Sequence, residues 1–185
     1  MQELYHGVFL ILGLALAFLS RRALGDPRSH GFYRFFAFEA IVLLLWRNLP
    51  YWFVERFSPS QLLSWALLFA SLYLLLHSLY LLRVRGGHAP ERAAGEANFA
   101  FENTARLVDS GIYGYIRHPL YSSLLLLAWG LFFKHPDLPG AGAALLASLA
   151  LIATAKVEEG ENLRTFGEAY RGYCRRTRMF LPFLL

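Results

Sequence analysis

Five apolar stretches, separated by turns whose basic residues fall on alternate sides, constrain this 185-residue chain more than any other feature. They run about Leu4 to Leu19, Phe32 to Val54, Gln61 to Leu82, Leu120 to Phe133 and Leu138 to Ala155. A helix needs around 20 apolar residues to cross a bilayer. The second and third stretches meet that length, the first is marginal and the fourth is short. A soluble domain of this size would have to leave large parts of them exposed. Charged residues make up only 17% of the chain, against about 25% in an average soluble domain. The predicted fold class is therefore all-α: an integral membrane bundle of about five transmembrane helices, closed by a C-terminal amphipathic helix.

The basic residues give the bundle a direction. Arg21, Arg22 and Arg28 follow the first stretch, Arg83, Arg85, Arg92, Arg106 and Arg117 follow the third, and Arg164, Arg171, Arg175, Arg176 and Arg178 follow the fifth; Arg56 and Lys134 mark the other side, and Arg47 and Asn48 lie near it. The positive-inside rule then puts the N-terminus outside and the C-terminus in the cytoplasm of an inner or plasma membrane. The first stretch has no basic residue before it and no clear cleavage site, so it reads as a retained helix rather than a secretory signal. The net charge of +5 lies in these turns and not along a stripe, so nucleic acid is not an expected partner. A single cysteine, Cys174, allows no intramolecular disulfide, and no close set of Cys and His suggests a metal site.

The chain reads as one domain: three helices in residues 1–82, a cytoplasmic loop in 83–119 with Gly86, Gly87, Pro90 and Gly95, and a helical hairpin with the C-terminal segment in 120–185. Lys134-His135-Pro136-Asp137 and Pro139 make the hairpin turn. Gly140 to Ala144 are small enough to let helices approach closely. Two ionisable residues well inside apolar stretches stand out. Glu39 in the second and His77 in the third are expected at similar depth, and contact between them is predicted from depth alone. Tyr73, His77 and Tyr80 form a seam at helical spacing. A packed polar pair is the bland explanation of Glu39 and His77, and a substrate role the sharper one.

The residues suited to chemistry cluster at the cytoplasmic ends of the last two stretches. Pro119 fits the first turn of a helix, whose exposed N–H groups favour an anion, with Arg117 and His118 just before it. Lys156-Val157-Glu158-Glu159-Gly160-Glu161-Asn162 follows the fifth stretch, and Glu158 and Asn162 share a helix face. A carboxylate there suits an amino group or a sulfonium; a solvated helical turn is equally compatible with the spacing. Phe166, Tyr170, Tyr173 and Thr177 then form one aromatic face, which suits a membrane surface or the cover of a nucleoside.

Gly111-Ile112-Tyr113 with Arg117-His118-Pro119 and Tyr121, followed by Glu158-Glu159-x-Glu161-Asn162 with Phe166-Gly167, Tyr170, Tyr173, Thr177, Phe180 and Pro182, resembles the isoprenylcysteine carboxyl methyltransferase and phospholipid methyltransferase superfamily over about Leu107 to Phe183. The resemblance implies a membrane methyltransferase that binds S-adenosylmethionine between the last two helices and the C-terminal segment. It implies cofactor contacts from Arg117, His118, Pro119, Tyr121, Glu158, Glu159 and Asn162, and from Tyr113, Phe166 and Tyr170. It also implies a lipophilic acceptor entering from the bilayer, with Arg117, His118 and Glu158 as the catalytic candidates and Glu39 and His77 as weak substrate candidates. The family often has Gly where this chain has Ser123. Prenylated protein, phospholipid headgroup, small thiol and isoprenoid acid all remain open as acceptors. Two alternatives stand beside this one: a membrane NAD(P)H-dependent reductase of steroid-reductase-like layout, and a non-catalytic membrane scaffold.

Overall fold

A computed structural model describes residues 2–87 and 104–181; Arg92, Pro90, Gly95, Pro182 and Phe183 lie outside the described residues. The described residues form α1 (Gln2–Leu19), the single turn α2 (Arg21–Leu24), α3 (His30–Asn48), α4 (Pro59–Leu81), α5 (Pro119–Phe132), α6 (Leu138–Phe166) and α7 (Glu168–Arg176). They contain no strand, only an isolated parallel bridge between Ile116 and Arg178. Two of these helices are long and apolar enough to cross a membrane: α4 with the π-helical turn that extends it to Gly86, and α6.

Local sequence sets the helix ends. Ser29 caps α3 by accepting from the Phe32 N–H, and Ser58 caps α4 from the Gln61 N–H with Pro59 in the first turn. Asp137 caps α6 from the Gly140 N–H at 2.7 Å. Each side chain satisfies one of the orphan donors that every helix start leaves. The second apolar stretch stops as a helix at Asn48, short of the predicted Val54, because Pro50 lacks an N–H and the chain tightens into the 3-10 turn Leu49–Tyr51. The fifth runs further than predicted. With no Gly-Pro stop at Ala155, α6 continues eleven residues to Phe166, and Gly167 breaks it at φ +55. Its 29 residues reach about 43 Å, well over the roughly 30 Å of a hydrocarbon core.

The helices pack in two pairs. α3 lies along α6 and α4 along α5; the α5–α6 hairpin joins the pairs, and α1 rides on α3. The α3–α6 seam is small-on-large: Ala143, Ala144 and Ala147 meet Ala40, Ile41 and Leu44. The α4–α5 seam is hydrogen-bonded. Ser64 donates to the Gly130 carbonyl and Ser71 to the Ser123 carbonyl, both at 2.7 Å. Gly130 is needed there, since a Cβ would sit 2.9 Å from Leu68. This chain's Ser123 is thus turned toward α4, with its own hydroxyl donating to the Leu120 carbonyl.

The up-and-down course gives the bundle two ends. The starts of α3 and α5 and the ends of α4 and α6 make one, called here the site end. The turns around Tyr51 and Lys134 make the other, the far end.

Candidate active site

Four separate pieces of chain meet at the site end, and Arg117 joins three of them. The C-terminal segment returns beside residues 115–118 in extended form: the Arg117 N–H donates to the Arg178 carbonyl at 2.7 Å, the His118 N–H to the Met179 carbonyl at 3.1 Å and the Arg178 N–H to the Tyr115 carbonyl at 3.0 Å. Ser122 adds a hydroxyl bond to the Phe180 carbonyl at 2.8 Å. The Arg117 side chain then donates through Nε to Glu159 at 2.6 Å and through Nη1 to the Thr177 carbonyl at 2.6 Å and the Cys174 carbonyl at 3.3 Å. A planar guanidinium with five donors in a fixed fork suits this three-way junction, and a lysine does not.

The Nε and Nη1 donors of Arg117 are thus engaged within the chain, and they tie the C-terminal segment to α6. Glu159 shares that task, since it accepts from Arg117 and lies 3.3 Å from His118 Nε2.

A cleft opens beside this junction, with about 630 Å³ of empty space counted out into the solvent at its mouth. Tyr113, Arg117, His118, Pro119, Tyr121, Glu158, Asn162, Phe166 and Tyr170 line it, so nine of the ten predicted cofactor contacts converge there. Glu159 is the exception and lies behind the wall. The two motif blocks are some forty residues apart in sequence and adjacent in space.

The cleft has three kinds of wall. Glu158 is its carboxylate, with 27% of the side chain exposed and His118 Nδ1 3.8 Å away. Asn162 stands one turn further along α6 and hydrogen-bonds the Tyr170 hydroxyl. The first turn of α5 contributes Pro119, Leu120 and Tyr121, and the N–H groups of such a turn have no intrahelical partner. His118 itself is buried, stacked on Tyr121 at 5.5 Å. The third wall is aromatic and apolar: Phe166, Tyr170 and Tyr173 on one side, and Leu82, Leu107 and Val108 on the other.

The aromatic face of the C-terminal helix therefore turns inward. Tyr170 and Tyr173 are each 2% exposed, and the Tyr173 hydroxyl donates to the Tyr113 carbonyl at 2.7 Å. A membrane surface is not what this face covers; the basic residues Arg171, Arg175 and Arg176 take the outer side of α7. Burial pushes both tyrosine hydroxyls well above their ordinary range, the charge of Glu159 adding to the effect at Tyr170, so both stay neutral.

Glu39 and His77 are not brought together. The Glu39 carboxylate lies against α1, where a Cβ on Gly13 would sit 3.2 Å from its Oε2. His77 stacks on Tyr73 at 5.6 Å, and its Nε2 approaches Gly111. Because α1 rides on α3 while α4 packs on α5, the two residues belong to opposite flanks of the bundle. Depth along a helix carries no information on azimuth, which is why the predicted contact fails. Neither residue lines the cleft.

One buried pair escaped the sequence reading. His30, the first residue of α3, sits 2.7 Å through Nδ1 from Glu161 Oε2. Glu161 was visible as part of its motif, but nothing in the sequence marked His30 as its partner.

No family profile, curated protein or solved structure matches this chain. The cleft has to be read on its chemistry.

Proposed function

We propose that the chain is an integral membrane methyltransferase that uses S-adenosylmethionine and acts on a lipophilic acceptor at the cytoplasmic face. The observation that carries this reading is the convergence of the Arg117-His118-Pro119 block and the Glu158-to-Asn162 block on one cleft covered by Phe166, Tyr170 and Tyr173.

The residues present fit the donor. Its sulfonium and amino groups are cationic and suit the Glu158 carboxylate. Its carboxylate suits the open N–H groups at the start of α5. Its adenosine is flat and suits the aromatic wall, with Asn162 as a hydrogen-bonding side chain. When bound, this cofactor supplies a methyl group on a positively charged sulfur, open to direct displacement. The protein's part is mainly to align and to exclude water. Glu158 offers a fixed negative charge where the donor is positive. His118, held between Glu158 and Glu159, is placed to accept a proton from a thiol or amine acceptor; a carboxylate acceptor needs none. Arg117 and Glu159 hold the cover in place.

A membrane setting with five embedded helices is supported by the apolar faces of α1 and α4, which carry exposed Leu14, Phe18, Phe69, Leu72 and Leu76. The orientation with the C-terminus inside is supported by the division of basic residues between the two ends. α5, at 14 residues, reaches only about 21 Å and enters the bilayer without crossing its full thickness.

The test is transfer of a labelled methyl group. Purified protein incubated with methyl-labelled S-adenosylmethionine and a bacterial lipid extract is expected to label an organic-soluble product. No labelled product, together with oxidation of NADPH by the same preparation, would favour the reductase. Neither activity, with neither cofactor bound, would leave a scaffold.

A further inference from the structure

α6 carries Glu158, Glu159 and Glu161 in a span of four residues near its site end. Three carboxylates this close on one helix need separate partners. The structure divides the work. Glu159 goes to Arg117 and His118. Glu161 goes to His30, in a contact with 1% and 10% of the two side chains exposed. Glu158 keeps only the longer approach of His118 and opens to the cleft. Neither His30 nor Glu161 lines that cleft, so no ligand held there touches them. The charged groups facing His30 are Glu161 and Glu158 from α6 and Arg34 from its own helix.

We propose that the His30–Glu161 contact is a positioning device for the donor site, binding the last turns of α6 to α3 so that the Glu158 carboxylate is held at the cleft. This rests on the reading of the cleft as a sulfonium site. His30 is a positioning residue and not a catalytic one. Glu158 and Glu161 are three apart, neighbours on the helix surface. Without His30 the 2.7 Å tie between α3 and Glu161 is lost, and the turn of α6 that carries Glu158 is no longer fixed against α3. A Glu158 carboxylate held less firmly at the cleft discriminates less well between a cationic ligand and a neutral one.

The experiment measures that discrimination. The whole chain in lipid nanodiscs is titrated by calorimetry with S-adenosylmethionine and with S-adenosylhomocysteine, which lacks the positive sulfur. His30→Ala is expected to weaken the cationic ligand by about tenfold and the neutral one by less than about threefold, the scale of one charge-assisted hydrogen bond. His30→Asn, whose amide nitrogen stands where Nδ1 stood, is expected to recover the cationic ligand to within about threefold of the parent. If His30→Ala fails to fold, His30→Leu keeps the volume without the donor and reads the same loss. A folded His30→Ala or His30→Leu with the parent's affinities would overturn the proposal. So would an equal loss for both ligands with no recovery in His30→Asn, because that is the pattern of a purely structural contact. A parent protein that binds neither ligand would instead overturn the sulfonium site itself.

Discussion

The two ends of the bundle are both rich in polar side chains, yet they are built differently. At the far end several polar groups close on one another. Buried Lys134 donates to Gln61 Oε1 at 3.1 Å and lies 3.5 Å from the Trp65 ring centre. Gln61 in turn donates to the Tyr51 and Lys134 carbonyls. Arg47 pairs with Asp137, and Tyr51 stacks on His135 at 3.9 Å. This is a latch that holds α3 and α4 to the hairpin turn. At the site end the same kinds of residue fasten distant segments to one another and leave a carboxylate, Glu158, open to a cleft. Polar density does not separate a latch from a site. Clefts open at both ends, but Arg47, Asp137 and Lys134 at the far one already hold close partners, whereas Glu158 meets its cleft with His118 no nearer than 3.8 Å.

The contrast can be broken from either side. The largest effect is expected at Glu158. Glu158→Gln should leave the fold intact and lower methyl transfer by about a hundredfold or more, the scale of losing an electrostatic anchor; activity within a few-fold of the parent would return Glu158 to the status of a surface residue. Next comes the junction. Arg117→Lys should weaken donor binding by roughly tenfold, because a single ammonium cannot meet Glu159 and two carbonyls in the geometry of a fork. Protection of residues 174–180 from hydrogen exchange is expected to fall with it.

The far end should respond in the opposite sense. Lys134→Met leaves the Gln61 oxygen buried without its donor, at a cost of about 1–3 kcal/mol, and is expected to lower the melting temperature by roughly 5 °C. Turnover per folded molecule should not change. A large loss of turnover in a stable Lys134→Met protein would blur the distinction between latch and site.

Two smaller effects concern protonation. Burial opposes the charge on Asp137, but the Gly140 N–H and the Arg47 guanidinium outweigh it and hold the carboxyl below its ordinary value. A depressed carboxylate adds stability that is complete above its unfolded pKa of about 4 and drains as pH falls through the lower folded value. Mild acid below that point is therefore expected to loosen the far end slightly, and Asp137→Asn to remove that part of the acid response. The smallest effect is at Cys174. Burial pushes its thiol up, against the pull of Arg117 and with a further push from Glu159. Alkylation is expected to stay slow at neutral pH and to accelerate only in alkaline buffer.

Much of this was legible in the sequence because it is local. Pro119 marks a helix start, Lys134 to Pro139 mark the hairpin turn, and the small residues of α6 mark a close seam, whereas the stop before Pro50 was missed. Glu158 and Asn162 were readable as one face from their spacing, and the structure puts both on the cleft. What was not legible depends on which segments meet. Nothing in the sequence says that residues 115–118 and 178–180 run side by side, or that Arg117 ties them to Glu159. Nothing pairs His30 with Glu161 across 131 positions. Glu39 and His77 looked like partners because depth was read and azimuth was not.

The central claim is that Glu158 presents a fixed negative charge to a cationic donor, and the most direct measurement is the dissociation constant of S-adenosylmethionine for the parent and for Glu158→Gln under identical conditions. A cation site at Glu158 requires the parent to bind and the variant to bind at least about tenfold more weakly. Equal affinity in the two proteins, or no binding to the parent, would contradict it.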